Sequence, residues 1–213
     1  RSAGAWTWSR ATARAALNQD LAGAAAPPDW HHHDPMKLLE PSEYQAAAGA
    51  VYLSVVQEIA RLLPLAQLEH IGASAIPGAV SKGDLDICVL VTAQEHGRAV
   101  QVLQGAGYVA KKDTLRTPEL CMLLSPRTDT DVALQVVAKG SEFEFFLHFR
   151  DALRADPRLV EQYNQLKQRF APFGMERYRE EKSRFITNVL TPQVLPGRCA
   201  ESAPVAGGAC NLD

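Results

Sequence analysis

The stretch from His70 to Ile87 reads HIGASAIPGAVSKGDLDI, and its residue types suit phosphate and metal chemistry. Asp84 and Asp86 stand two apart at the head of an apolar run, DLDICVLVT. Residues two apart on a strand project to one face, so both carboxylates point together while Leu85 turns to the core. Two like charges held that close make each other harder to ionise. A divalent cation relieves the repulsion, and hard oxygen ligands suit Mg²⁺ or Mn²⁺. Twelve residues before Asp84 lies Gly72, in the small-residue loop Gly72-Ala73-Ser74. Glycine lets a backbone approach a phosphate, and the N–H groups of such a turn donate to anions. Phosphate donors beside a carboxylate pair are the parts of metal-assisted phosphoryl or nucleotidyl transfer. The plainer alternative is a D-x-D at a strand mouth that binds only water or a nearby lysine. The glycine loop at this distance favours the chemical reading.

These residues need elements to hold them. Glu43 to Leu63 reads as a long amphipathic helix capped by Ser42, with Ala46, Ala50, Leu53, Val56 and Ala60 at helical spacing and Pro64 ending it. Leu65 to Ile71 is short and extended. Gly72 and Pro77-Gly78 mark a loop. Asp84 to Thr92 is the clearest strand, apolar enough to be central. Ala93 to Gln104 is helical and is stopped by Gly105-Ala106-Gly107. Strands follow at Glu119–Ser125 and Asp131–Ala138, joined by a turn over Pro126–Thr130.

From Ser141 the pattern turns helical. Ser141 and Glu144 have capping-box spacing, and Phe145, Phe149 and Leu153 form one stripe. Asp156-Pro157 opens a further helix carrying Leu159, Val160, Tyr163 and Leu166. Met175 to Leu190 is the last, offering Tyr178, Phe185, Ile186, Val189 and Leu190 for packing. The order implies an α+β fold, a small sheet with a helical C-terminal half packed on it.

Composition limits the function classes. The chain has 213 residues, of which 46% are hydrophobic, with 22 Lys+Arg against 24 Asp+Glu. That is enough apolar material for a core and too little positive charge to grip duplex nucleic acid in bulk. No apolar run approaches the roughly 20 residues that cross a bilayer. Nor do the first residues show a basic stretch followed by an apolar run, so a cytoplasmic location is expected. Cys88 and Cys121 fall in strand-like runs as small hydrophobes; Cys199 and Cys210 sit in a Gly/Pro/Ala-rich tail and could pair under oxidising conditions.

Residues 1–35 are Ala-rich and hold Trp6, Trp8 and Trp30, ending in Pro27-Pro28 and His31-His32-His33 just before Met36. Neighbouring histidines on an extended chain do not converge on one ion unaided. A leader over 1–35, a working domain over 36–192 and a low-complexity tail over 193–213 are therefore expected.

HIGASAIPG followed by KGDLDI resembles the GrpB family, a branch of the nucleotidyltransferase superfamily, whose members carry a His-Ile-Gly-Ser-Thr-x-Val-Pro-Gly segment. LQVVAKGSEFEFFLHFRDALRADPRLVEQYNQLKQ resembles the family's passage from a sheet strand into a helix, and YREEKSRFI its closing Tyr-x-x-x-Lys-x-x-Phe-Ile. The resemblance spans residues 38–191. It implies a nucleotidyltransferase-like small mixed β-sheet flanked by helices, a Gly-Ser loop, an Asp-x-Asp metal pair and a third carboxylate on a later strand.

Carried over, Gly72, Ala73 and Ser74 would hold the donor's phosphates, and Asp84 and Asp86 would ligate Mg²⁺ or Mn²⁺. Asp131 would be the third, metal-sharing carboxylate that deprotonates the acceptor, with Asp129 equally near the strand mouth. Tyr178 and Lys182, four apart on one helix face, would contact the triphosphate. Lys82 and Arg150 are further phosphate candidates, although an arginine such as Arg150 more often salt-bridges a helix face. His70 reads as a strand-end residue hydrogen-bonded to the fold.

Three positions depart from the family pattern. Ala73 replaces the serine expected after the glycine. Asp84 is present where many relatives lack the first aspartate. Gln135 stands where relatives tend to have histidine.

The implied function is a metal-dependent nucleotidyltransferase that moves an NMP group from an NTP to a hydroxyl-bearing acceptor. Loss of the loop serine leans instead toward a non-catalytic nucleotide-binding domain with a regulatory or folding-assistant role, and GrpB-like domains also occur fused to dephospho-coenzyme A kinase. RNA end modification is a weaker third idea. Residues 150–184 hold nine Lys/Arg against six Asp/Glu, an excess that fits one triphosphate better than a polymer.

Overall fold

The computed structural model describes residues 37–191. The expected leader and tail, the three histidines and the Cys199–Cys210 pairing lie outside the described residues. Five strands form one sheet: β1 (Gln67–Ile71), β2 (Leu85–Val91), β3 (Val109–Ala110), β4 (Leu120–Leu124) and β5 (Val132–Ala138). The helices are α1 (Pro41–Leu62), α2 (His96–Gly105), α3 (Phe145–Ala155), α4 (Pro157–Phe170) and α5 (Met175–Leu190). Strand order is β1-β2-β5-β4-β3; β2 and β5 pair in parallel and every other pair is antiparallel. This is the expected α+β architecture with a helical C-terminal half.

Alternation along the two central strands builds two cores. Leu85, Ile87, Val89 and Val91 of β2 join Val132, Leu134 and Val136 of β5 on the face covered by α1 and α2. Cys88, Leu90 and Val137 face the other way, against Phe145, Phe149 and Leu153 of α3, Val160 and Tyr163 of α4, and Ile186 of α5. Each fully buried aliphatic side chain contributes about 1.5–3 kcal/mol relative to exposure. Asp84 and Asp86 belong by parity to the second face, so the strand that packs both cores also aims its carboxylates under the helical half.

Local expectations were overturned in three places. Helix α1 starts at Pro41, and Glu40 rather than Ser42 is its cap; the Glu40 N–H donates to the Glu43 carboxylate. Its buried stripe is Tyr44, Ala48, Val55 and Ile59, whereas Ala46, Ala50 and Ala60 are exposed and Leu53 is 62% exposed. Five alanines and three valines spread around this helix leave no unique apolar stripe in the sequence, so the spacing points to its outer face rather than its inner one. Ser141 makes no side-chain cap. Its hydroxyl is buried without a hydrogen-bond partner among the described residues, and Glu144 turns back to accept from the Gly140 N–H. Two-residue β3, too short for any periodicity, was not foreseen.

Candidate functional site

The chain turns from β1 into a short 3₁₀ turn, Ala73–Ala75, through Gly72 at φ +73° and ψ −172°. A Cβ on Gly72 would lie 2.4 Å from Asp86 Oδ2, so only glycine lets this backbone run against that carboxylate. Register explains the closeness: Ile71 is the β1 partner of Asp86.

Together these residues edge a cavity of about 210 Å³ between the sheet and α3–α5. From the sheet side it is lined by Gly72, Ala73, Ser81, Lys82, Asp84, Asp86, Lys111, Met122 and Gln135. From the helices come Phe145, Phe146 and Phe149, then Tyr163 and Lys167, then Met175, Tyr178, Arg179 and Lys182. A larger cavity of about 540 Å³ lies between the Pro77-Gly78 loop and α4, but its lining pairs no carboxylates and holds none of the residues expected to contact phosphate or metal.

The two aspartates are held differently. Asp84 accepts from the Ser81 hydroxyl at 3.0 Å and ion-pairs with Lys82 at 3.3 Å. Burial pushes its carboxyl up, but the charges of Lys82 and Lys182 and the serine hydrogen bond outweigh that and hold it below the usual value. Asp86 has no hydrogen bond or ion pair among the described residues. Burial, and next the charge of Asp84, raise it to about 6 against the pull of Lys182, Lys82 and Lys111. Here is the like-charge repulsion anticipated from the D-x-D spacing.

Other expected residues divide between those the cavity gathers and those it leaves out. Gly72, Ala73, Lys82, Asp84, Asp86, Tyr178 and Lys182 line it together. Ser74 does not; its buried hydroxyl meets His70 Nε2 at 3.0 Å. His70 stacks on Tyr52 at 4.6 Å between ring centroids, and burial, with Arg154 and Arg150 adding to it, lowers its pKa to about 4. Arg150 also lies outside. It donates to Glu69 at 2.8 Å, to Asp151 at 2.7 Å and to the His70 carbonyl at 2.9 Å, fastening α3 to β1. Asp131 is exposed at the start of β5 and absent from the lining, and Asp129 is occupied by Arg127 at 2.7 Å. On β5 the residue facing the cavity is Gln135, one strand over from the aspartates.

Sequence reasoning missed Ser81, Lys111, Lys167 and Arg179. Lys167 is 1% exposed; its ammonium donates to the Val80 carbonyl and sits 4.0 Å from the centroid of the Tyr163 ring. Burial, and then the charge of Lys182, lower its pKa to about 7, with Asp84 opposing. A signal existed: Lys167 follows Val160 by seven and Tyr163 by four, which puts a lysine on the apolar stripe of α4.

The two carboxylates are hard oxygen donors of the kind that hold Mg²⁺, with phosphates and water completing the shell. Among the described residues no group of three or more His, Cys, Asp or Glu converges. Nor is any described helix long and apolar enough to cross a membrane.

Similar proteins are known both in sequence and in structure. A UPF0157 protein of Vibrio cholerae is 54% identical over 157 residues, covering 74% of this chain and 83% of its own length. A UPF0157 protein of Deinococcus radiodurans is 34% identical over 130 residues, 60% of this chain and 68% of its own. Among solved structures, the conserved protein GrpB from Enterococcus faecalis superposes with a TM-score of 0.60 at 21% identity, over 72% of this chain and 94% of that one. The Cid1 poly(U) polymerase with MgGTP bound aligns with a TM-score of 0.43 at 17% identity, over 64% of this chain and 48% of that one. The family model described as GrpB protein matches residues 40–191, the same span that carries the sheet, the glycine turn and the cavity, and the chain belongs to that family.

Proposed function

We propose that this protein is a Mg²⁺-dependent nucleotidyltransferase that moves an NMP group from an NTP to an acceptor hydroxyl. One observation carries the reading: the Gly72 backbone lies against the Asp86 carboxylate, inside a cavity that Lys82 and Lys182 also line. A backbone anion donor, a carboxylate pair and fixed ammonium groups within one enclosure suit a polyphosphate with its cation. Asp84 and Asp86 would hold the cation, which when bound neutralises phosphate charge and polarises the phosphorus. The Gly72–Ala73 backbone, Lys82, Tyr178 and Lys182, joined by Arg179, would bind and orient the phosphates, while Phe145, Phe146 and Phe149 exclude water from the inner wall.

A second reading, nucleotide binding without turnover, draws on the Ser74 hydroxyl being tied to His70 and turned away from the cavity. One experiment separates the two. Purified protein is incubated with Mg²⁺ and α-labelled NTPs against a panel of hydroxyl acceptors, following label transfer and pyrophosphate release. Transfer abolished by Asp84→Asn with Asp86→Asn is the expected result. Transfer that persists unchanged in that double variant removes the first reading, and tight nucleotide binding with no transfer to any acceptor favours the second.

A further inference from the structure

Gln135 is a buried polar residue to which neither the fold nor the proposed phosphate contacts give a task. It is 4% exposed, it lines the cavity, and its side-chain oxygen has no hydrogen-bond partner among the described residues. Burying an amide without a partner is costly, and such groups in folded proteins call for an explanation. Packing alone does not supply one. Its strand neighbours across the sheet, Cys88 on β2 and Met122 on β4, are apolar residues that a leucine or methionine at 135 would match.

Position narrows the explanation. Strand β5 lies parallel to β2, with Ala133 beside Asp86 and Gln135 beside Cys88, so Gln135 stands one step further along the same face as the aspartates. Asp86, too, has no hydrogen bond or ion pair among the described residues. Two oxygen acceptors that line one cavity, with no protein donor for either among the described residues, are both satisfied by a cation. Asp131, the third carboxylate expected on this strand, is exposed at its start and does not line the cavity.

The charges around the pair bear on how a cation would arrive. Lys82 and Lys182 act on both aspartates, and Lys82 is paired with Asp84 at 3.3 Å. Lys111, Lys167 and Arg179 line the same enclosure. A bare divalent ion meets this positive surround with two carboxylates and a neutral amide, whereas a cation already chelated by a triphosphate enters as a net anion.

Resting on the nucleotide-site reading above, we propose that Gln135 supplies the third protein oxygen of the cation site, and that because this ligand is neutral the site takes up its cation together with a polyphosphate rather than holding it beforehand.

The test is binding, not turnover. Mn²⁺ is titrated into the full chain, followed by electron paramagnetic resonance of the free ion, without and with a non-hydrolysable α,β-methylene NTP; thermal unfolding confirms that each variant folds. The wild type is expected to bind Mn²⁺ alone only in the millimolar range. Gln135→Glu, which adds a negative ligand, should bind Mn²⁺ alone at least tenfold more tightly. Gln135→Met, which keeps the shape and removes the oxygen, should lose at least tenfold in affinity for the Mn²⁺-nucleotide complex.

Micromolar binding of Mn²⁺ alone by the wild type overturns the proposal, as does a Gln135→Glu variant with unchanged Mn²⁺ affinity. A Gln135→Met variant that keeps the wild-type affinity for the complex overturns it as well, and in that case the nucleotide reading survives. A wild type that fails to bind the complex at all removes both.

Discussion

Replacing Gly72 by alanine tests the contact on which the site is built. The backbone at φ +73° and ψ −172° lies in a region that is essentially restricted to glycine, at a cost of about 1–3 kcal/mol for any other residue. The added methyl would also meet Asp86 Oδ2 at 2.4 Å, Cβ at 3.0 Å and Cγ at 3.1 Å. Overpacking of that kind costs about 1–3 kcal/mol. The total, about 2–6 kcal/mol, is a large part of the 5–15 kcal/mol that holds a typical domain together.

A double-mutant cycle separates the two contributions. In an Asp86→Ala background the Oδ2 and Cγ contacts are gone and only the Cβ contact at 3.0 Å remains, so Gly72→Ala should cost mainly the backbone strain, about 1–3 kcal/mol. The coupling energy should then be about 1–3 kcal/mol. Urea unfolding of the four proteins at pH 7.5, followed by circular dichroism, reads these values. If Gly72→Ala costs the same in both backgrounds, to within about 0.5 kcal/mol, the glycine is not there to admit the carboxylate and the reasoning fails.

Asp86 sets a pH signature. Its folded pKa of about 6 lies above its ordinary value of 3.8, so between those values the folded state keeps a proton that the unfolded chain releases. Its contribution to stability is therefore greatest below 3.8, falls as pH rises toward 6 and is flat above; Asp86→Asn should remove that slope from a plot of unfolding free energy against pH. Cation binding needs the ionised form, so Mn²⁺ affinity should fall about tenfold per pH unit below about 6. Arg150→Ala should destabilise the protein by about 2–4 kcal/mol, because it strands a partly buried Glu69 and the His70 carbonyl. Its nucleotide affinity, measured by calorimetry, should stay within about twofold, which would separate a clamp between α3 and β1 from a phosphate ligand.

Much of this site was legible because its chemistry is local in sequence. Gly72, Asp84 and Asp86 lie within one strand-loop-strand passage, where period-two alternation fixes the direction of both carboxylates. The long strands and α3–α5 were legible for the same reason, as Phe145, Phe149 and Leu153 mark one face without ambiguity. What failed depends on distant packing. Asp131 has the right residue type at a strand mouth, but it is exposed and does not line the cavity, where β5 contributes Gln135 instead. Arg150 has the right charge, but Glu69 lies eighty-one residues away in sequence and claims it. Ser74 is next to the phosphate turn in sequence, and the 3₁₀ geometry swings it onto His70. Lys111 and Arg179 come from opposite walls, and no spacing rule joins them.

Helix α4 has a consequence beyond its own packing. Asn164 accepts from the Val80 N–H at 2.9 Å and donates to the Gly78 carbonyl at 2.7 Å, while Lys167 donates to the Val80 carbonyl. The segment between the glycine turn and the aspartate strand is thus stitched to a helix more than eighty residues downstream, as though to a borrowed strand. A fragment ending after β5 would keep every residue of the Gly-x₁₁-Asp-x-Asp passage and lose the splint that sets their spacing. The domain cannot be trimmed to that passage: the half of the site that carries the carboxylates takes its shape from the helical half.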